Sequence, residues 1–109
     1  MTINKAITEM LKDVGINEIM TPIYLGDSPE FAVFAYDIVA GEFADDAEIL
    51  PTYDVRINYV APLAKNTLQT VKNIRNAIAE TFGEYADVIN ASDEYGQDFR
   101  FEFEVGWEE

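Results

Sequence analysis

The side chains in this 109-residue sequence that could do chemistry are nearly all carboxylates. There are 21 Asp+Glu against seven Lys+Arg, with no histidine and no cysteine. Lack of histidine removes the commonest general base and the commonest transition-metal ligand together. Lack of cysteine removes thiolate chemistry and any disulfide framework, which fits a reducing compartment. Two groupings of acids remain. Asp45, Asp46 and Glu48 lie close enough to collect a hard cation, but they lack the DxDxDG order and distal bidentate glutamate of a calcium loop. Glu102 and Glu104 point to the same side of one strand, as paired glycosidase carboxylates would, yet neighbouring acids on a wet sheet face ordinarily serve solubility. There is no GxGxxG, no Walker-type phosphate loop, no GxSxG elbow and no metal-ligand spacing. The expectation is a protein that is not an enzyme and uses no cofactor, metal or small-molecule substrate.

The elements that would hold these acids are read from hydrophobic period. Residues 51–61 (PTYDVRINYVA) alternate, with Tyr53, Val55, Ile57 and Tyr59 on one side and Asp54, Arg56 and Asn58 on the other. A period of two marks a half-buried strand. After Pro62 the period changes, and Leu68, Val71, Ile74, Ile78 and Phe82 form a helical stripe closed by Gly83. A first helix spans residues 2–14, capped by Thr2 and striped by Ile3, Ile7, Met10, Leu11 and Val14, with Gly15-Ile16 as a Schellman stop. Residues 19–25 predict a short strand that Pro22 confines to an edge or a bulge. Residues 31–40 (FAVFAYDIVA) are apolar on both sides apart from Asp37, so this strand should be central or covered from outside the domain. A weaker strand spans residues 86–92. A last one covers 98–108, where Phe99, Phe101, Phe103, Val105 and Trp107 alternate with charges. The predicted fold is a single α+β domain over residues 1–109 in the order α-β-β-β-α-β-β. It is a two-layer sandwich with a mostly antiparallel sheet of four to five strands and both helices on one face.

Two helices cover one sheet face only, so the other face is the first candidate for a protein interface. The candidate interface residues are Val33 and Asp37 on the doubly apolar strand, and Phe43, Asp45, Asp46, Glu48, Ile49 and Leu50 in the acidic stretch that follows it. Three large apolar side chains in a connecting segment suggest that it packs or docks. The neutral polar side of the second helix (Gln69, Asn73, Asn76) reads as solvent-exposed or as a contact surface free of charge at its centre.

The net charge of −14 is unevenly placed. Eight acids and no base lie between Asp27 and Val55, and nine acids accompany Arg100 alone from Glu84 onward. Five of the seven cations (Lys5, Lys12, Lys65, Lys72, Arg75) are expected on the two helices. Binding of nucleic acid through a basic surface is excluded by this balance. No apolar run is long enough for a membrane span, and the opening residues MTINKAITEM lack a signal peptide's apolar core.

The element order resembles the tail-terminator (tail-completion, head–tail joining) proteins of long-tailed phages. The likeness rests on a strand running into a helix (YDVRINYVAPLAKNTLQTVKNIRNAI) and on a final hairpin with an aromatic last strand (DFRFEFEVGW). It lies in pattern over nearly the whole chain, with no invariant motif and no catalytic residue to carry over. The resemblance implies a homo-oligomeric ring, typically a hexamer, that caps the tail tube and docks to the head-completion or connector protein. Such a protein is made in the host cytoplasm and ends in the virion, at the head–tail interface. DNA would pass its lumen without specific binding, and an acidic lining would suit that passage. The alternative is a small acidic phage-encoded inhibitor or DNA mimic, which needs carboxylates at phosphate-like spacing.

Overall fold

Thr2 opens the first helix as its sequence requires. It is extended (φ −70°, ψ 156°), and its Oγ1 accepts the Lys5 amide at 3.1 Å ahead of α1 (Ile3–Val14). That hydroxyl satisfies one of the N–H groups a helix start leaves without a partner. At the other end Gly15 takes φ 106°, and the amides of Gly15 and Ile16 bond to the carbonyls of Lys12 (2.9 Å) and Leu11 (3.2 Å). This is the Schellman arrangement, which needs a residue without a Cβ at the left-handed position. The structure is a computed structural model and describes residues 1–39 and 51–108.

After α1 come β1 (Ile19–Met20), β2 (Phe31–Val39), β3 (Thr52–Ala61), α2 (Leu68–Phe82), β4 (Asp87–Asn90) and β5 (Gln97–Gly106). The order α-β-β-β-α-β-β is the one the periodicity predicts. The strands form one sheet in the order β1-β2-β3-β5-β4. All neighbours are antiparallel except β1, which lies parallel to β2 with Ile19 beside Ala32. The sheet is therefore mixed. Residues 21–30 separate the two parallel strands and let the chain return in the same direction.

The inward residues of β3 (Tyr53, Val55, Ile57, Tyr59) meet Phe101, Phe103 and Val105 of β5 and Ala32 and Phe34 of β2 in one core. Ile3, Ile7, Met10 and Leu11 of α1 and Ile74 and Ile78 of α2 close it from the same side. Both helices thus lie on one sheet face. Trp107 joins just past β5, where its ring meets Phe82 edge-on at 5.2 Å and its Nε1 donates to the Met1 carbonyl at 3.0 Å.

Three details depart from the sequence reading. β2 is not central; it stands next to a two-residue edge strand, and β3 takes the middle. Leu68 fits the helical stripe but remains 63 % exposed, because it begins α2 beside a hollow of about 270 Å³ rather than over the core. Lys65 lies before α2, in the connection from β3, and pairs there with Glu30.

Candidate functional site

The side of the sheet away from the helices is the surface that could act. Register decides which residues share it, since directly opposed residues point the same way. Across the upper part, Val33 of β2 stands opposite Asn58 of β3, which stands opposite Arg100 of β5, with Ile89 of β4 beyond. The next row is Ala35, Arg56, Glu102 and Asp87. Below it Asp37, Asp54 and Glu104 face one another across three strands. None of these side chains belongs to the core, and no helix among the described residues covers them.

Aligned carboxylates repel. Arg56 offsets part of that by reaching from the adjoining row to Asp37 at 3.0 Å. Arg100 lies 3.5 Å from Glu102 on its own strand, and the Asn58 amide donates to Asp98 at 2.8 Å. Each guanidinium is therefore already paired with a carboxylate of its own chain, which lowers its pull on an outside anion. Pro22, from the segment after β1, forms a wall over Val33, Ala35, Arg56, Asn58 and Arg100, enclosing a shallow groove of about 330 Å³. Nearby, Tyr24 stacks on Phe31 with ring centres 3.7 Å apart.

Among the predicted interface residues, Val33 is half-buried on this open face and Asp37 is exposed and paired with Arg56. Phe43, Asp45, Asp46, Glu48, Ile49 and Leu50 lie outside the described residues. The residues that the sequence reading missed as a group are Arg56, Asn58 and Arg100. Their alternation marked them as outward, but only the β3–β5 register brings them together. Glu102 and Glu104, the other acid pair, lie on the same face, with Glu102 beside Arg100. Among the described residues, no group of three or more acids is placed to hold a metal ion. No helix among them is long and apolar enough to cross a membrane.

A second polar region lies between the helices. Asn73 and Asn76 of α2 line a groove of about 380 Å³ with Asp13 of α1 and Glu80, and Gln69 donates to Asn73 at 2.9 Å. A third cluster joins the segment before β2 to the β3–α2 connection. The Tyr59 hydroxyl donates to Glu30 at 2.6 Å, and Lys65 bonds the same carboxylate oxygen. The Lys65 and Tyr59 hydrogen bonds hold the Glu30 carboxyl below its ordinary range. Burial, and then the bond to Glu30, push the Tyr59 phenol above its ordinary value. This cluster is a brace between chain segments, since one carboxylate oxygen of Glu30 ties β3 and the β3–α2 connection to the segment before β2.

Comparison with known proteins finds no matching family model, no matching curated protein and no matching solved structure.

Proposed function

We propose that the protein is a structural subunit of a long-tailed phage, a tail terminator that assembles as a ring, most simply a hexamer, on the tail tube and joins it to the head connector. The observation that carries this reading is the order α-β-β-β-α-β-β folded as two helices on one face of a five-stranded sheet, with no helix among the described residues on the other face. That element order is the pattern in which the sequence resembles the family. A bare sheet face with half-buried Val33 and Ala35 suits a subunit whose environment is completed by other copies. The partners are further copies of the chain, the tube protein and the head-completion protein, and the site of action is the virion.

Charge supports the same reading. At net −14 the assembled surface repels phosphate, so DNA passes without being held. The row Asp37, Asp54 and Glu104 favours a second reading, an acidic inhibitor that imitates DNA, since these acids occupy facing positions on neighbouring strands about 5 Å apart. Arg56 and Arg100 interrupt that display on the same face, which weakens the mimic. Negative-stain imaging of the purified protein separates the two. The terminator gives closed rings with a lumen and no retention of duplex DNA at low salt. Isolated particles that compete with DNA for a DNA-binding protein would overturn it in favour of the mimic.

A further inference from the structure

Among the described residues the sheet has two edges with unpaired backbone groups. On β2 the Ala32 amide bonds the Glu18 carbonyl at 2.9 Å and the Phe34 carbonyl accepts the Thr21 hydroxyl at 2.6 Å. Even-numbered residues of β2 therefore aim their backbone groups away from β3. β1 pairs only with Ala32 and Val33, so Tyr36 and Ile38 present outward N–H and C=O groups to no strand among the described residues. On β4 the Ala91 amide bonds the Asp98 carbonyl at 2.8 Å, which sets the parity there: Val88 and Asn90 turn outward. All four β4 residues are exposed.

Free edges are usually guarded by lysine, proline or a bulge. The run Tyr36–Val39 has neither Lys nor Pro, its one charge, Asp37, is paired with Arg56, and Ile38 is 67 % exposed. The directions of the strands also match. β2 is antiparallel to β3, β3 to β5 and β5 to β4, so β2 and β4 run oppositely. A second copy generated by rotation about an axis inclined to the strands, but not across them, brings its β4 antiparallel to this β2 without turning over.

We propose that β4 of one copy adds to the outer edge of β2 of the next, so that the sheet continues from subunit to subunit. This deepens the ring reading above and rests on it. Outward groups pair when Tyr36 stands opposite the partner's Asn90 and Ile38 opposite the partner's Val88. Asp37 then faces the partner's Ile89, and Val39 the partner's Asp87. No carboxylate opposes another, which matters in a chain of net charge −14. Ile38 and Val88 meet on the helix side of the sheet, where both are exposed in the single copy. Within one copy β4 lies level with Ala32–Ala35. The pairing therefore staggers each neighbour by about four residues, roughly 13 Å. A closed ring absorbs such a stagger as strand tilt.

The chain has no cysteine, so introduced thiols report cleanly. Asp37 and the partner's Ile89 form a non-hydrogen-bonded pair about 4.5 Å apart at Cα, within disulfide reach. Oxidised Asp37→Cys/Ile89→Cys protein should run as a covalent ladder ending at the ring number, while either single variant stays uncrosslinked. Ile38→Pro removes an N–H that its own sheet does not use. It should keep the monomer's circular dichroism and weaken assembly about tenfold or more. An oligomer of full mass with no ladder, unaffected by Ile38→Pro, would overturn the edge pairing and leave the ring reading standing. Dimers from Asp37→Cys alone would overturn it in favour of a two-fold β2 contact. A ladder without end, with filaments in the microscope, would uphold the pairing and contradict the ring.

Discussion

Tyr59, wholly buried on β3, gives its phenolic hydrogen to Glu30 at 2.6 Å, tying the middle of the sheet to the residue that precedes β2. Removing the acceptor takes the carboxylate from a buried hydroxyl and leaves it only the weaker neighbourhood of Thr70. Glu30→Ala should cost about 1–3 kcal/mol in urea unfolding, and Glu30→Gln, which keeps an acceptor oxygen, clearly less.

The same pair sets a pH dependence at both ends of the scale. Glu30 titrates below its ordinary 4.5 in the folded chain, so its contribution is present above about pH 4.5 and is lost as pH falls through the lower folded value. Tyr59 titrates above its ordinary 10.0, so its contribution is whole below pH 10 and fades as pH rises beyond it. The stability gap between wild type and Glu30→Gln should therefore narrow in acid. A gap that stays constant from pH 7 to pH 3 would contradict the brace.

The core makes a sharper contrast. Ile74 is fully buried where α2 meets the sheet, and Ile74→Ala should cost about 2–5 kcal/mol. Arg56 lies on the open face in an exposed pair with Asp37, and Arg56→Ala should cost less than about 1 kcal/mol in a single subunit. Denaturant melts below the assembly concentration measure both. An Arg56 penalty that appears only in the assembled form would mark the open face as part of a subunit contact.

The elements themselves were legible wherever one period ran long enough. β3 alternates over its ten residues and β5 from Asp98 onward, and α1 carries its cap, stripe and glycine stop in sequence. Position in the sheet was not legible. Apolar residues on both sides of β2 suggested a strand that is central or covered from outside the domain; β3 holds the centre and the outer neighbour of β2 is two residues long, because a local pattern reports burial and not the identity of a neighbour. Leu68 matched the stripe of α2 while lying past the end of what the helix covers. Lys65 was expected within the helix. It stands ahead of it because Asn66 accepts the Leu68 amide at 3.3 Å and the Gln97 amide holds the Pro62 and Lys65 carbonyls at 2.8 Å. The meeting of Arg56, Asn58 and Arg100 needed the register of two strands about 40 residues apart, which no local period contains.

Gln97 gives a further test of that turn. Besides donating to the carbonyls of Pro62, Leu63 and Lys65, it accepts the buried Thr67 hydroxyl at 2.7 Å. Gln97→Ala should cost about 1–3 kcal/mol and raise amide exchange over residues 62–67 ahead of the rest of the chain. Uniform exchange across the molecule would show that the side chain does not hold the turn.

Salt should favour assembly. Copies of net charge −14 repel at low ionic strength, and screening shortens the Debye length from roughly 30 Å at 10 mM to about 8 Å at physiological salt. The oligomer fraction should rise over that range. A falling fraction would mean that cation–carboxylate contacts between copies dominate, and Lys5, Lys12, Lys72 and Arg75 on the helices would be the cations to replace first.

Mass in solution tests the central claim most directly. Light scattering on the native chain in several hundred millimolar salt, across a hundredfold range of concentration, should converge on a single closed species near six times the 12.3 kDa of one chain. A particle that remains monomeric or dimeric at the highest concentration would contradict the ring-forming subunit.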